Sequence, residues 1–225
     1  DLIGNARQSS VLGVAWDGMG YGDDATLWGG EFLRGDENGF RRVAHQRPFR
    51  LPGGEKAIKE PRRAALGLLY EIYGDNLFLM KKLAPVLAFT QNELDILKTA
   101  LKRSINSPIT SSAGRLFDAI ASITGLCQES GFEGQAAMEL EFSIEVATRD
   151  SYSFKLIDND DLVVVDWEPM VREILDDLQL PAGKISAKFH NTLTAIIVAV
   201  AQRIGEEKVV LSGGCFQNVY LTEQV

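Results

Sequence analysis

The sequence is short of the residues that crosslink chains or hold metals, with two cysteines, Cys127 and Cys215, and two histidines, His45 and His190, in 225 residues. Thiols so few and so far apart exclude a disulfide framework and a thiolate metal cage, and they fit a reducing cytoplasm. No apolar run reaches the roughly 18 residues of a spanning helix, and the N-terminus carries neither the basic nor the apolar stretch of a secretory leader. Neither a membrane partner nor export is therefore expected. Positive charge is also scarce: 23 Lys plus Arg face 31 Asp plus Glu, for a net charge of −8. Such a surface repels a phosphate backbone, so nucleic acid is not the expected partner. Repeats and low-complexity tracts are absent. What remains is 45% hydrophobic and 24% charged, a globular chain long enough for one large core or two lobes around a cleft.

Periodicity divides the chain into three segments. Residues 1–60 are Gly-rich and strand-like, with strands over 11–16, 26–33 and 40–45 and a turn at the GDENG of 35–39. Residues 61–150 read as helical: a helix opens at Pro61 with Ala64, Leu68 and Ile72 at four-residue spacing, and others are expected over 91–104, 113–126 and 132–147. Residues 151–225 give a hairpin over 152–165 turning at Asp158-Asn159-Asp160-Asp161, then helices over 168–178 and 185–204. The second of these places Ile185, Phe189, Leu193, Ile196, Val200 and Ile204 on one stripe, as in a helix lying on a sheet. A short apolar strand over 209–211 follows, leading into a Gly-Gly turn. Sheet, helices, hairpin, helix and strand make an α/β order. The chain opens without Met and stops just after that turn, which reads as a segment of something larger, incomplete at both ends.

Four glycine-punctuated stretches are the candidates for chemistry. In AWDGMGYG, the glycines let backbone N–H groups approach an anion and Asp17 can offer a carboxylate to a metal ion; a tight hairpin with a solvated Asp reads equally well. In SSAGRLFD, Ser111 or Ser112 caps a helix whose free N–H groups suit phosphate, with Gly114 close by and Asp118 one turn in, able to accept from ribose hydroxyls; a plain capped surface helix is the alternative. In FEGQAAMELE, small residues around Gly134 and Gln135 would admit a flat ligand and Glu139 a carboxylate, against ordinary packing through Ala136 and Leu140. In LSGGCFQN, Ser212, Gly213 and Gly214 form an abrupt strand-to-helix turn that points N–H groups outward, with Asn218 beyond it. Cys215 beside it reads as a structural thiol rather than a nucleophile.

AWDGMGYG, LWGGEFLRGD, GFRRVAH, LPGGEKAIKEPRRAAL, SSAGRLFDAIASITG, FEGQAAMELE, FHNTLTAIIVAVAQ and LSGGCFQN, in that order, resemble the Kae1-like domain of the hydrogenase-maturation carbamoyltransferases called HypF. The resemblance runs over essentially the whole chain. It implies an actin-like ATPase fold: two ribonuclease-H-like α/β lobes with a helical insert, residues 1–60 belonging to the first lobe and 151–225 to the second. It implies a reaction of carbamoyl phosphate and ATP, through carbamoyl-adenylate, with the C-terminal cysteine of a HypE-like acceptor protein, on the way to the cyanide ligands of nickel-iron hydrogenase. It further implies Asp17 as a metal ligand, and Gly114, Asp118, Gly134, Gln135 and Glu139 on the ribose and adenine side. Ser212, Gly213, Gly214 and Asn218 fall on the phosphate side.

The family's paired histidines before the AWDG strand and its aspartate beyond the SGG-containing turn are not in this sequence. Nor are its acylphosphatase-like, YrdC-like and zinc-finger domains, the last of which binds zinc. The resemblance therefore implies that the remaining metal ligands lie outside this chain and that the chain alone is inactive. A small-molecule O-carbamoyltransferase and a non-catalytic docking module are the alternatives.

Overall fold

A computed structural model describes residues 10–37 and 39–225. The described residues open with three antiparallel strands, β1 (Val11–Tyr21), β2 (Leu27–Asp36) and β3 (Gly39–Gln46). Asn38 of the GDENG turn lies outside the described residues. Strand β1 alternates buried Leu12, Val14 and Trp16 with less buried neighbours, the period-two pattern of a strand with one face on the core. The expected strand over 11–16 is in fact longer. It continues through the glycines to Tyr21, its register against β2 shifting between Trp16 and Gly20, so the first glycine stretch is an irregular strand rather than a loop.

The middle of the chain is helical. The main helices are α2 (Pro61–Tyr73), α4 (Gln91–Arg103), α5 (Ala113–Ile123) and α6 (Gln135–Ser143), with α1 (Lys56–Lys59) and α3 (Ala84–Leu87) as single turns. Two-residue strands β4 (Phe49–Arg50), before α1, and β5 (Ile109–Thr110), between α4 and α5, pair with each other; they are too short to leave a sequence pattern. Thr90 caps α4 by exchanging hydrogen bonds with Glu93, the reciprocal arrangement that satisfies two otherwise orphaned donors. Helix α6 is shorter than the expected 132–147. Gly134, at φ 81°, holds a left-handed conformation that starts the helix late, and Ile144 returns to extended backbone.

The last third supplies the hairpin β6 (Lys155–Asn159) and β7 (Leu162–Asp166), then α7 (Glu168–Asp176), α8 (Ala182–Ile204), β8 (Val209–Ser212) and the terminal helix α9 (Val219–Gln224). On α8, Ile185, Phe189, Leu193, Ile196 and Val200 are buried as the stripe requires, each large side chain contributing about 1.5–3 kcal/mol. The eight strands of the described residues form one sheet. β7 lies parallel to β3 and β8 parallel to β1, so the hairpin and the terminal strand, expected in a second lobe, extend the sheet begun by residues 11–46. The physical reason is a single apolar core that runs continuously from Leu12 through the helices to Leu221.

Candidate functional site

The pairing of β1 with β8 brings together the first and last glycine stretches, nearly two hundred residues apart in sequence. Val14 stands opposite Leu211 and Ala15 opposite Ser212. Trp16, fully buried, meets Phe32 edge to face at 5.8 Å and stacks on Phe216 at 5.8 Å, so one indole pins the turn after β8 to the end of the β1 apolar run. Gly213, at φ 103°, makes this approach feasible: a Cβ there would stand 2.1 Å from the Trp16 carbonyl oxygen.

Helix α5 closes from another side. Ser112 is its N-cap, accepting from the Arg115 N–H at 3.1 Å while its hydroxyl lies 2.6 Å from the Asp17 carbonyl oxygen. Gly114 lets the helix touch the strand, since a Cβ there would be 2.7 Å from the Gly18 Cα. A cleft of about 370 Å³ is left between these elements and the start of α6. It is lined by Asp17 and Gly18 from β1, Gly114, Arg115 and Asp118 from α5, Glu133, Gly134 and Ala137 around α6, and Gly214, Cys215 and Gln217 from the last turn. All four glycine stretches thus meet at one hollow.

Asp17, Gly114, Asp118, Gly134 and Gly214, the expected site residues, line it. The others are placed differently. Gln135 accepts from the Gly131 N–H at 2.7 Å and donates to Glu139 at 2.7 Å, so these two side chains engage each other along α6. Ser212 and Gly213 belong to the strand end and the turn against Trp16, outside the lining. Asn218 is turned inward: its Nδ2 is 2.9 Å from His190 Nε2, and its Oδ1 accepts from the Leu221 N–H at 2.8 Å as the cap of α9. His190 Nδ1 lies 2.8 Å from the Ser186 carbonyl oxygen, which fixes that nitrogen as a donor and Nε2 as the acceptor from Asn218. Burial pushes this histidine down to about 4, and it is a neutral structural group.

The sequence reading had Asp118 free for a ligand. It is instead 4% exposed and lies 2.8 Å from Arg115 Nη1, itself on a residue 4% exposed. Burial pushes the Asp118 carboxyl up to about 7, against the opposing pull of Arg115 and with the help of Glu133. Arg115 and Glu133 were not among the expected residues. Both sit inside the quoted motifs, but charged residues at helix starts are common, and only folding shows that they face a cavity. Glu31 was missed as well. This 2%-exposed carboxylate accepts from the Gly29 and Gly30 N–H groups and the Ser111 hydroxyl and pairs with Arg42 at 3.3 Å, tying β2 to the entry of α5.

Two further features bear on chemistry. Among the described residues no three His, Cys, Asp or Glu side chains stand close enough to hold a metal ion, so these residues alone do not form a metal centre. The Cys215 thiol is pushed up to about 12, first by burial and then by the nearby Asp17, which makes it a poor nucleophile.

Comparison with known proteins gives this geometry a lineage. Residues 13–225 match the family model described as carbamoyltransferase, Kae1-like domain, second subdomain. The chain belongs to that family. It is 42% identical to carbamoyltransferase HypF of Synechocystis sp. over 95% of its length and 37% identical to HypF of Rhodobacter capsulatus over 92%. It spans 30% and 27% of those two proteins. The crystal structure of a full-length HypF in its phosphate- and nucleotide-bound form superposes with a TM-score of 0.87 at 40% identity, covering 96% of this chain and 34% of that one. The structure of T. kodakarensis HypF gives a TM-score of 0.75 at 28% identity. The fold is therefore Kae1-like, of the actin-like ATPase architecture.

Proposed function

We propose that this chain forms the nucleotide-holding part of a HypF-type carbamoyltransferase, which makes carbamoyl-adenylate from carbamoyl phosphate and ATP and passes the carbamoyl group to the C-terminal cysteine of a HypE-like acceptor in hydrogenase maturation. The observation that carries the reading is the meeting of Asp17, Gly114, Asp118, Gly134 and Gly214 at one hollow, in a chain 40% identical to a HypF crystallised with nucleotide and phosphate.

On this reading the adenosine lies against Gly114 and Gly134 at the starts of α5 and α6, and its phosphate faces Gly214. Gly134 has open space where a side chain would stand, Gly114 lets α5 close on Gly18 of β1, and helix starts offer unpaired N–H groups to an anion. Asp17 is the carboxylate this chain would give to a divalent ion. In the transfer, the acceptor sulfur bonds to the carbamoyl carbon, the bond from that carbon to the phosphate oxygen breaks, and AMP leaves with the electron pair. The attacking sulfur belongs to the acceptor, so no covalent intermediate on this chain is required. Work would take place in the cytoplasm, where thiols stay reduced.

Calorimetric titration of the full chain with ATP and AMP tests the binding half, with saturable binding expected and weakened in Asp118→Ala. Mass spectrometry of a HypE-like acceptor incubated with carbamoyl-adenylate and a full-length HypF carrying this sequence as its Kae1-like part tests the transfer half: carbamoylation of the acceptor's C-terminal cysteine is expected, and none with the chain alone. Absence of nucleotide binding by folded protein ends the reading.

A further inference from the structure

Two hollows meet at Gly18 and Arg115. Beside the cleft lies a second cavity of about 490 Å³, whose lining includes Met19, Leu27, Leu51, Ile58 and Pro108 and which shares Gly18 and Arg115 with the first. Arg115 lines both. The residue is 4% exposed, yet Nε and Nη1 make no hydrogen bond, and neither does Asp118 Oδ2, although Nη1 and Oδ2 are 2.8 Å apart. Contact without alignment is the geometry of a pair held by packing, not by directed bonds. Nη2 lies 3.3 Å from where a Cβ on Gly18 would stand.

A buried guanidinium with orphaned donors is costly unless something completes it. Among the described residues, Lys and Arg are otherwise missing from both linings, so Arg115 is the cation facing the two hollows. The carboxylates near it, Asp17, Asp118 and Glu133 on the cleft side and Glu55 on the other, repel a bare anion, which leaves Arg115 as the group an anion would seek. A planar fork also fits phosphate oxygens better than a point charge does.

We propose that Arg115 is the phosphate-holding residue of this site, its guanidinium receiving the anionic group of the ligand where the two cavities join. The proposal rests on the nucleotide reading above and sharpens it: the phosphate is held from the α5 side as well as by the turn after β8.

The test is calorimetry on the full chain with adenosine, AMP and inorganic phosphate as separate probes, for wild type, Arg115→Met and Arg115→Lys. Wild type should bind AMP roughly 10- to 100-fold tighter than adenosine, the range expected of charge-assisted hydrogen bonds. In Arg115→Met that advantage disappears while adenosine affinity stays within about twofold, and Arg115→Lys recovers part of it. Equal loss of adenosine and AMP, with a lowered melting temperature, makes Arg115 a purely structural residue and overturns the proposal; so does an AMP advantage that survives in Arg115→Met. If phosphate binds in an Arg115-dependent way while adenosine does not bind, the nucleotide reading fails and the anion site stands. If no probe binds, both fail.

Discussion

Asn218 and His190 hold each other in the interior, Nδ2 to Nε2 at 2.9 Å, and the same asparagine caps α9 through Oδ1. An asparagine that reads in the sequence as a ligand-facing residue is thereby spent on the fold. Asn218→Ala removes a cap and orphans the imidazole acceptor, so a loss of about 1–3 kcal/mol in urea unfolding is expected. A variant that unfolds like wild type but no longer binds nucleotide would return Asn218 to the ligand.

Asp118 gives a pH signature. Its carboxyl is raised from 3.8 to about 7, so the folded chain holds this proton more tightly than the unfolded chain does. The stability this group contributes is fully present below about pH 4 and is lost as pH rises through about 7. Asp118→Asn should flatten that part of the stability profile, measured by urea unfolding across the range. An unchanged slope would show that Arg115 neutralises the carboxylate more fully than burial penalises it.

Two glycines at the cleft should fail for different reasons. Gly114→Ala drives a methyl group into the Gly18 backbone, and α5 must move off β1 at a cost of about 1–3 kcal/mol, with weakened ligand binding in calorimetry. Gly134→Ala meets no atom within 4 Å, so its loss should be only the left-handed backbone cost of about 1–2 kcal/mol. Gly134→Asn, which tolerates that conformation, should restore most of it; Gly114→Asn should not.

Glu31 predicts a larger effect at a distance. Glu31→Ala strips the acceptor from Gly29, Gly30 and Ser111 and one partner from Arg42. A destabilisation of about 3–5 kcal/mol is expected, the range for removing one side of a buried ion pair. Chemical denaturation measures it, and a change under about 1 kcal/mol would mean that water or Asp24 takes over those donors.

Cys215 should resist alkylation. A thiol near 12 is almost wholly protonated at neutral pH, so iodoacetamide labelling of the folded chain should be far slower than in denaturant. Equal rates in both states would show that its surroundings at the cleft do not hold the thiol protonated.

Much of the local structure was legible in the residues themselves. The stripe from Ile185 to Val200 marks α8, Pro61 marks the start of α2, and Asp158 to Asp161 mark the turn between β6 and β7, because each depends on neighbours within a few positions. The ordered motifs were likewise enough to point to the Kae1-like lineage. Elements of two residues, such as β4 and β5, left no such trace, since their existence depends on a partner strand rather than on periodicity.

What tertiary structure alone decided is which side chains share a space. Val14 opposite Leu211 and Trp16 on Phe216 set the last glycine turn beside Asp17, and that placement put Arg115 and Glu133 at the cleft while turning Asn218 toward His190. The reason is physical: periodicity fixes which face of an element is apolar, whereas strand pairing between residues two hundred positions apart fixes what that face meets.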